Sequence, residues 1–306
     1  MNFFKIIDQL SEVDPDVLDR FDSRRSVFSS LGSMAKRTAL AATPLFLGTM
    51  FQKAYAGTTS TPVEVLNYAL TLELLEADFY RQFQASGTIT ASTPAVAAIA
   101  QIKKHEDAHV ALLTTTIRQL GGTPVAGTAT TGVRFNPAVF SSSFPATYAN
   151  YLAVAQALED AGVRAYKGRA GELLGTDLLT VALQIHSVEA RHAAHIRTMR
   201  SQTPWVSNTD DLATVPLTAP VYASGLPSGA TAPTSITAGG ATYGIPAYST
   251  TSPSPVESNV VQSGVNLTTG LASQYTAADA AASFDEYLQA AEILASSRAG
   301  GLALLS

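Results

Sequence analysis

The pattern of apolar and polar positions in residues 60–201 predicts four long amphipathic helices. Apolar residues recur at three- and four-residue intervals, which places them along one face of a helix. The first helix begins with Thr61-Pro62-Val63-Glu64, a capping box with proline at the first helical position, and is expected to run to about Phe83. Start and stop signals place the other three at Thr93-Pro94 to Gly121-Gly122, at about Pro145 to Ala170, and at Thr176 to about Arg200.

The remaining segments after residue 60 lack this pattern until the end of the chain. Residues 123–143 have no clear periodicity and are long for a connection within a compact domain. Residues 202–275 are rich in Ser, Thr, Ala, Gly and Pro, and Glu257 is their only charged residue after Asp211. We expect an extended segment that partly wraps the bundle or forms an oligomer contact, with a flexible tail as the alternative.

A fifth helix is predicted at the C-terminus, over residues 276–300. Asp279 is expected to cap it. Its apolar face would consist of Phe284, Leu288, Ala291 and Leu294, and would dock on the bundle.

Glutamates interrupt the apolar stripes of all four long helices in a repeated arrangement. The first and third helices carry Glu73 and Glu159, and a tyrosine follows each of them seven residues later, as Tyr80 and Tyr166. The second and fourth helices carry Glu106-x-x-His109 and Glu189-x-x-His192. Residues i and i+3 share one helix face, so each motif directs a carboxylate and an imidazole to the same place. The chain therefore contains two copies of one helix pair.

This arrangement indicates a site for two metal ions. A single Glu-x-x-His motif on a helix is most often a solvated surface pair. Here, however, the motif is repeated and has apolar neighbours one and two turns away, and burying a bare carboxylate is too costly without a partner. Four glutamates and two imidazoles form the ligand set of a carboxylate-bridged two-metal site in a four-helix bundle, with Glu106 and Glu189 as the bridges. Such ligands suit iron or manganese.

Composition narrows the remaining function classes. The chain has 306 residues, of which 46% are hydrophobic, so it can bury a substantial core. Its formal net charge is −5 and it has no basic stripe, so we expect no nucleic-acid partner. It contains no cysteine, which excludes disulfides, thiolate zinc sites and iron–sulfur clusters.

The N-terminal residues 1–56 predict a twin-arginine-like export signal. The pair Arg24-Arg25 is followed by an apolar run from Thr38 to Phe51 and by Ala54-Tyr55-Ala56, a small-x-small cleavage site. The segment before the arginines is long and acidic, and Val27 stands where an aromatic residue is usual. We expect cleavage after Ala56 and a periplasmic or cell-envelope protein; the alternatives are an uncleaved anchor or an amphipathic helix of the mature protein.

Three sequences carry a resemblance to a known family: LNYALTLELLEADFYR at 66–81, KKHEDAH at 103–109 and ALEDAGVRAY at 157–166. They resemble the bacterial ferritin-like domain family related to plant desiccation-related proteins, over about residues 60–200. The resemblance implies an all-α, ferritin-like four-helix bundle whose one long crossover corresponds to residues 123–143. The pattern also resembles bacterioferritin and rubrerythrin, whose four glutamates and two histidines correspond to Glu73, Glu106, His109, Glu159, Glu189 and His192.

Four further residues near this ligand set remain open. Glu76 lies one turn from Glu73 and is either a replacement for it or a hydrogen-bonding partner of the ligands. His186 and His195 lie one turn on either side of the Glu189 and His192 pair and are further candidates for contacts to the ligands. His105 is rotated by about 100° from Glu106 and is expected on the outside of the bundle.

Two functions compete, and a third, iron storage, is the weakest because it requires a shell. The first is a di-iron or di-manganese protein that reacts with oxygen or peroxide, as a ferroxidase, peroxidase or catalase type of enzyme, in which Tyr80 or Tyr166 hydrogen-bonds a bridging glutamate or passes an electron. The second is a structural or stress-protective envelope protein in which the metal only stabilises the bundle or is absent. Haem is not expected. A haem of the bacterioferritin type is held by methionine, and Met199, the only methionine after residue 56, lies on the wrong helix for that role. A 24-subunit cage is not expected either, since the C-terminal extension makes this chain longer than the subunits that such shells normally use.

Overall fold

The computed structural model describes residues 60–89, 95–207, 210, 219–226, 228–252, 254–262, 264–269, 275–295 and 298–306. All of them belong to one compact unit, Gln52–Ser306. The predicted export signal lies outside the described residues, as does the predicted start of the second helix at Thr93-Pro94. In the described part of the chain, no helix is both long and apolar enough to cross a membrane.

The four predicted long helices are present. They are α1 (Pro62–Ala85), α2 (Ala95–Gln119), α3 (Tyr148–Arg169) and α4 (Leu178–Met199), and a short 3-10 helix, Ala170–Leu173, follows α3. The predicted capping box is confirmed: the Thr61 hydroxyl accepts from the Glu64 amide, and the Glu64 carboxylate accepts from the Thr61 amide. Helix α1 packs along α2, and α3 packs along α4.

The two members of each pair are buried to different extents. Helices α2 and α4 bury one stripe each, as expected for amphipathic helices at the surface of a bundle. Helices α1 and α3 are buried on almost every side, because other segments cover the faces that point away from the bundle axis. The first and third helices therefore lie between the bundle interior and a second layer of chain.

The crossover between α2 and α3 forms part of this layer and is fixed to α1 by two buried polar side chains. Asn67 Oδ1 accepts from the amide of Val125 at 2.8 Å, and Asp78 Oδ2 accepts from the amide of Phe135 at 2.9 Å. The crossover contains strand β1 (Arg134–Phe135) and a 3-10 helix, Pro137–Val139. Its backbone groups thus find partners although it has little regular structure.

The described parts of the C-terminal segment supply the rest of the layer. They comprise α5 (Ala219–Tyr222), β2 (Ser235–Ala238), β3 (Ala241–Gly244), β4 (Val261–Gln262), β5 (Val265–Asn266), α6 (Ala277–Ser283), α7 (Ala290–Ile293), α8 (Ala299–Leu302) and β6 (Ala303–Leu304). Three antiparallel pairs form, β1 with β6, β2 with β3 and β4 with β5. An all-α description is therefore incomplete. On the β2–β3 hairpin, Tyr243 makes a 2.8 Å hydrogen bond to Thr71 of α1, so this part wraps the bundle.

The prediction of one continuous fifth helix was wrong. The capping box at Thr276 and Asp279 starts α6, but the helix ends at Ser283, and among the described residues that follow, helix recurs in the short α7 and α8. The interruption has a tertiary cause: the backbone carbonyl of Glu286 accepts a hydrogen bond from Arg164 Nε at 3.0 Å, and that of Tyr287 accepts from Arg164 Nη2 at 3.3 Å. Within a helix these carbonyls would be directed along the helix axis and taken by its own amides.

Candidate metal centre

The structure brings the six predicted ligands together in the middle of the bundle. Their ligand atoms form two groups of four, and within each group all atoms lie within 4.8 Å of one another. One group contains Glu73, Glu106, His109 and Glu189; the other contains Glu106, Glu159, Glu189 and His192. Glu106 and Glu189 belong to both groups. They are the two residues that the repeat predicts as bridges between neighbouring ions.

Both imidazoles present the same ring nitrogen to the carboxylates. His109 Nδ1 lies 3.1 Å from Glu73 Oε2 and 3.2 Å from Glu106 Oε2. His192 Nδ1 lies 2.9 Å from Glu106 Oε1 and 3.2 Å from Glu159 Oε2. Each imidazole thus lies beside the shared carboxylate of Glu106 and beside one unshared carboxylate.

Both tyrosines return to the interior, but they contact the unshared carboxylates and not the predicted bridges. Tyr80 of α1 donates its hydroxyl hydrogen to Glu159 of α3, and Tyr166 of α3 donates to Glu73 of α1. Burial and the adjacent carboxylates hold the pKa of both phenols well above the usual value, so both remain protonated donors. Each tyrosine therefore fixes the carboxylate of the opposite helix pair.

The cluster contains more negative charge than its own cations can balance. All four glutamates have no exposed surface, and both carboxylate oxygens of Glu189 have no hydrogen-bond partner among the described residues. Within the described part of the chain, the ion pairs of these carboxylates are with histidines, not with lysine or arginine. A buried carboxylate without a partner is costly, so the residues fit a site for cations.

The pKa values show how the cluster behaves without a metal. Burial raises the pKa of Glu106 to about 7, although hydrogen bonds from the two histidines oppose the shift. Burial lowers the pKa of His109 and His192, but their contacts with the carboxylates outweigh this and raise both values to about 10. In metal-free protein, protons would thus supply the balancing positive charge: they neutralise carboxyl groups and charge the imidazoles.

Glu76 is buried beside the cluster but belongs to neither group of four, so Glu73 occupies the ligand position. Burial, followed by repulsion from Glu159, raises the pKa of Glu76 well above its usual value. On α3, Gly162 stands one turn after Glu159, where Glu76 stands one turn after Glu73 on α1. A Cβ at Gly162 would lie 2.9 Å from Glu189 Oε2 and 3.5 Å from Glu76 Oε1. The glycine therefore provides the space that both carboxylates occupy.

His105 is the residue that the sequence placed wrongly. It is half-buried, and its Nδ1 lies 2.9 Å from Nε2 of His192, the ring nitrogen that points away from the carboxylates. Its own Nε2 contacts the side-chain amide of Gln101 at 2.6 Å. A helical wheel of α2 alone places His105 outside, but the wheel does not include α4, against which this edge of α2 packs.

The other two histidines do not join the centre. His186 is half-buried and its pKa is lowered, mainly by burial, while His195 is exposed on α4. Neither contributes to a group of four.

Residues 61–202 match the family model of the ferritin-like domain. None of the curated proteins matches the chain. The matched segment contains all four long helices and all six candidate ligands, so residues 61–202 form a ferritin-like domain. The link to desiccation-related proteins stays a prediction.

Proposed function

We propose that this protein is an exported ferritin-like protein that holds two iron or manganese ions between its four helices and reacts with oxygen or peroxide. One observation carries the proposal: Glu106 and Glu189 each belong to both groups of four, and Glu189 has no hydrogen-bond partner among the described residues. Two shared carboxylates between two histidine-containing groups suit two adjacent cations better than one.

Each residue has a defined role in this proposal. Glu73 with His109, and Glu159 with His192, would hold one ion each from opposite helix pairs. The imidazoles would bind through Nδ1, because that nitrogen faces the carboxylates in both cases. When bound, iron or manganese would supply redox chemistry and open coordination positions for an oxidant.

The surroundings favour reactivity over a purely structural role. Tyr80 and Tyr166 donate hydrogen bonds to the two unshared carboxylates, so a protonated, oxidisable phenol lies beside each ion position. A metal that only stabilises helices does not need either group. The bundle also excludes bulk water from the carboxylates, which strengthens the electrostatic interactions in the site. The alternative, a structural or stress-protective envelope protein, remains the outcome to be tested against.

Export is proposed from the sequence of residues 1–56 alone. The paired arginines, apolar run and small-x-small site occur in the order of an export signal. Sequencing the N-terminus of protein from the envelope fraction tests the proposal, which expects a start near Gly57. A start at Met1 or Asn2 would show that no cleavage occurs.

Elemental analysis of protein purified from its native compartment tests the metal centre. We expect about two iron or manganese ions per chain, as the two-metal ligand set requires. His109→Ala should lose at least one ion without loss of helicity, because the ligand is removed and the apolar stripe is not. The matched control is His195→Ala on the exposed face of α4, which should retain both ions.

The proposal fails if the wild type holds no iron or manganese above background and His109→Ala melts at the same temperature with and without added metal. If the protein does hold metal, consumption of oxygen or peroxide by the metal-loaded protein distinguishes a reactive centre from a structural one. Metal without turnover would support the structural alternative.

A further inference from the structure

A small apolar cavity lies next to Tyr166, at one end of the metal centre. Its volume is about 20 Å³, and its wall is almost entirely apolar. All four long helices contribute to the wall, which includes Val65 and Leu72 of α1, Leu113 of α2, Ala165 of α3, and Ala182 of α4. A space of about 10–15 Å³ is enough for one water-sized molecule, so the cavity has room for a very small ligand.

The cavity exists because the two helix pairs differ at two positions. Ala165 directly precedes Tyr166, whereas the residue before Tyr80 is Phe79. Ala182 lies seven residues before Glu189, and its equivalent, seven residues before Glu106, is Ile99. Two alanines thus stand where the other half has a phenylalanine and an isoleucine.

The structure shows the effect of this difference. Beside Tyr80, the Phe79 ring packs edge-on against Phe135, with centroids 5.0 Å apart, and no part of Tyr80 is exposed. Tyr166 retains 7% of its surface exposed. Large side chains fill the space beside one tyrosine, and small ones leave it open beside the other.

The wall of the cavity suits an apolar molecule better than water. A buried water needs about two to four polar partners. The Tyr166 hydroxyl already donates to Glu73, and Arg169 is bound to both carboxylate oxygens of Glu172, at 2.7 and 2.9 Å. The wall has two further buried polar groups, the Tyr68 hydroxyl and Nη1 of Arg169, but its accessible surface is almost entirely apolar. Such a wall does not satisfy a water molecule, and it satisfies hydrogen peroxide even less, because peroxide has two hydroxyl groups to desolvate.

We propose that this cavity binds dioxygen and delivers it to the half of the metal centre that contains Glu73 and His109. The proposal rests on the proposed function above and names oxygen, rather than peroxide, as its oxidant. Tyr166 connects the two places, because its ring lines the cavity and its hydroxyl is bonded to Glu73. The equivalent approach beside Tyr80 is filled, so oxygen reaches the centre from one side.

The binding step is tested with xenon, an apolar probe that enters dry cavities of this kind. The sample is the metal-free full chain with labelled methyl groups, observed by NMR under increasing xenon pressure. Saturable shifts are expected at the methyl groups of Leu66 and Leu72, which line the cavity. Their equivalents on α3, Leu152 and Leu158, are the internal control and should not shift. Equal shifts at both pairs, or none at either, would overturn the proposal.

A variant that fills the cavity tests delivery. Ala182→Ile gives α4 the residue that α2 has at Ile99, and Ala165→Phe, the equivalent change on α3, is the second variant if the first disturbs folding. Each should abolish the xenon shifts. In protein loaded with iron(II), each should slow oxidation by dissolved oxygen several-fold and leave oxidation by added peroxide unchanged. If both oxidants slow equally, the cavity does not deliver oxygen.

The two levels of inference fail in different ways. A wild type that binds xenon in the cavity but holds no metal would refute the two-metal function. The cavity would then bind gas but would have no metal centre to supply. A wild type that holds metal but shows no xenon shifts would leave the metal centre intact and refute the cavity proposal.

Discussion

Gly162→Ala tests whether the centre depends on the space that this glycine provides. Gly162 lies within α3, and the added Cβ would be 2.9 Å from Oε2 and 3.5 Å from Cγ of Glu189. Carbon and oxygen atoms do not approach to 2.9 Å without strain, so the Glu189 carboxylate has to move. Because Glu189 belongs to both groups of four, one methyl group should disturb both ion positions.

The magnitude follows from two opposing effects. Replacing a glycine by alanine within a helix normally stabilises a protein by about 0.5–1 kcal/mol. The Cβ here meets the end of a flexible side chain, which can rotate away at a similar cost, so the metal-free protein should change in stability by no more than about 1 kcal/mol. Losing a hydrogen bond that orients a metal ligand typically lowers metal affinity by about 10–100-fold. In Gly162→Ala a ligand itself moves, so metal affinity should fall by at least that factor.

The assay is a calorimetric titration of the metal-free protein with manganese(II), combined with thermal unfolding. Gly168→Ala is the matched control, because it makes the same change on the same helix and its Cβ would meet the carbonyl oxygen of Leu288 in the C-terminal segment. It should lower the melting temperature and leave manganese affinity unchanged. If Gly162→Ala binds manganese as tightly as the wild type, Glu189 is not a shared ligand and the two-metal reasoning fails.

Three further outcomes are expected. Metal-free protein should lose stability as pH rises from about 4.5 to about 10. Burial raises the folded-state pKa of Glu106 to about 7, and the carboxylates raise the pKa values of His109 and His192 to about 10, so the folded state binds more protons than the unfolded state throughout this range. Urea unfolding at several pH values checks this, and stability that increases with pH would contradict it. His105→Ala should weaken metal binding by about tenfold, measured by equilibrium dialysis, because it removes the partner of His192 Nε2. An unchanged affinity would show that the contact has no role. Arg164→Met should lower the free energy of unfolding by about 3–5 kcal/mol in urea unfolding, because the buried carboxylate of Glu257 loses its ion-pair partner. A loss under about 1 kcal/mol would contradict that.

The helices and the ligand set were predictable because each depends on short-range spacing. Thr61 and Glu64 cap α1 through contacts between residues three positions apart, and Glu106 and His109 share a helix face for the same reason. A second copy of the motif then indicated that the polar residues in the stripe converge. Neither inference required knowledge of how the helices pack.

The features that the sequence did not predict depend on contacts between distant segments. His105 is on the outer face of α2 by helical geometry, and only the position of α4 brings it to His192. Residues 284–289 have a helical pattern of apolar residues. The buried guanidinium of Arg164, however, donates hydrogen bonds to the carbonyls of Glu286 and Tyr287, which prevents this segment from forming a helix. Tertiary hydrogen bonds outweighed local propensity in that segment.

The polar residues of α3 explain why the C-terminal segment belongs to the structure of the metal centre. Glu159 points to the ligand cluster, while the next residue, Asp160, accepts from Arg197 of α4 at 2.6 Å and from the hydroxyl of Tyr222 in α5. A helix exposed on one side can leave an aspartate and an arginine in water, but α3 is covered on both sides and must satisfy them internally. For Arg164 the segment supplies backbone carbonyls, among them those of Pro255 and Glu286. It also supplies an ion pair with Glu257, the one charged residue of the low-charge stretch after Asp211, whose Oε1 lies 2.8 Å from Arg164 Nε. The segment thus completes the hydrogen bonds of the helix that supplies Glu159, and its scarcity of charge reflects the buried surface that it covers.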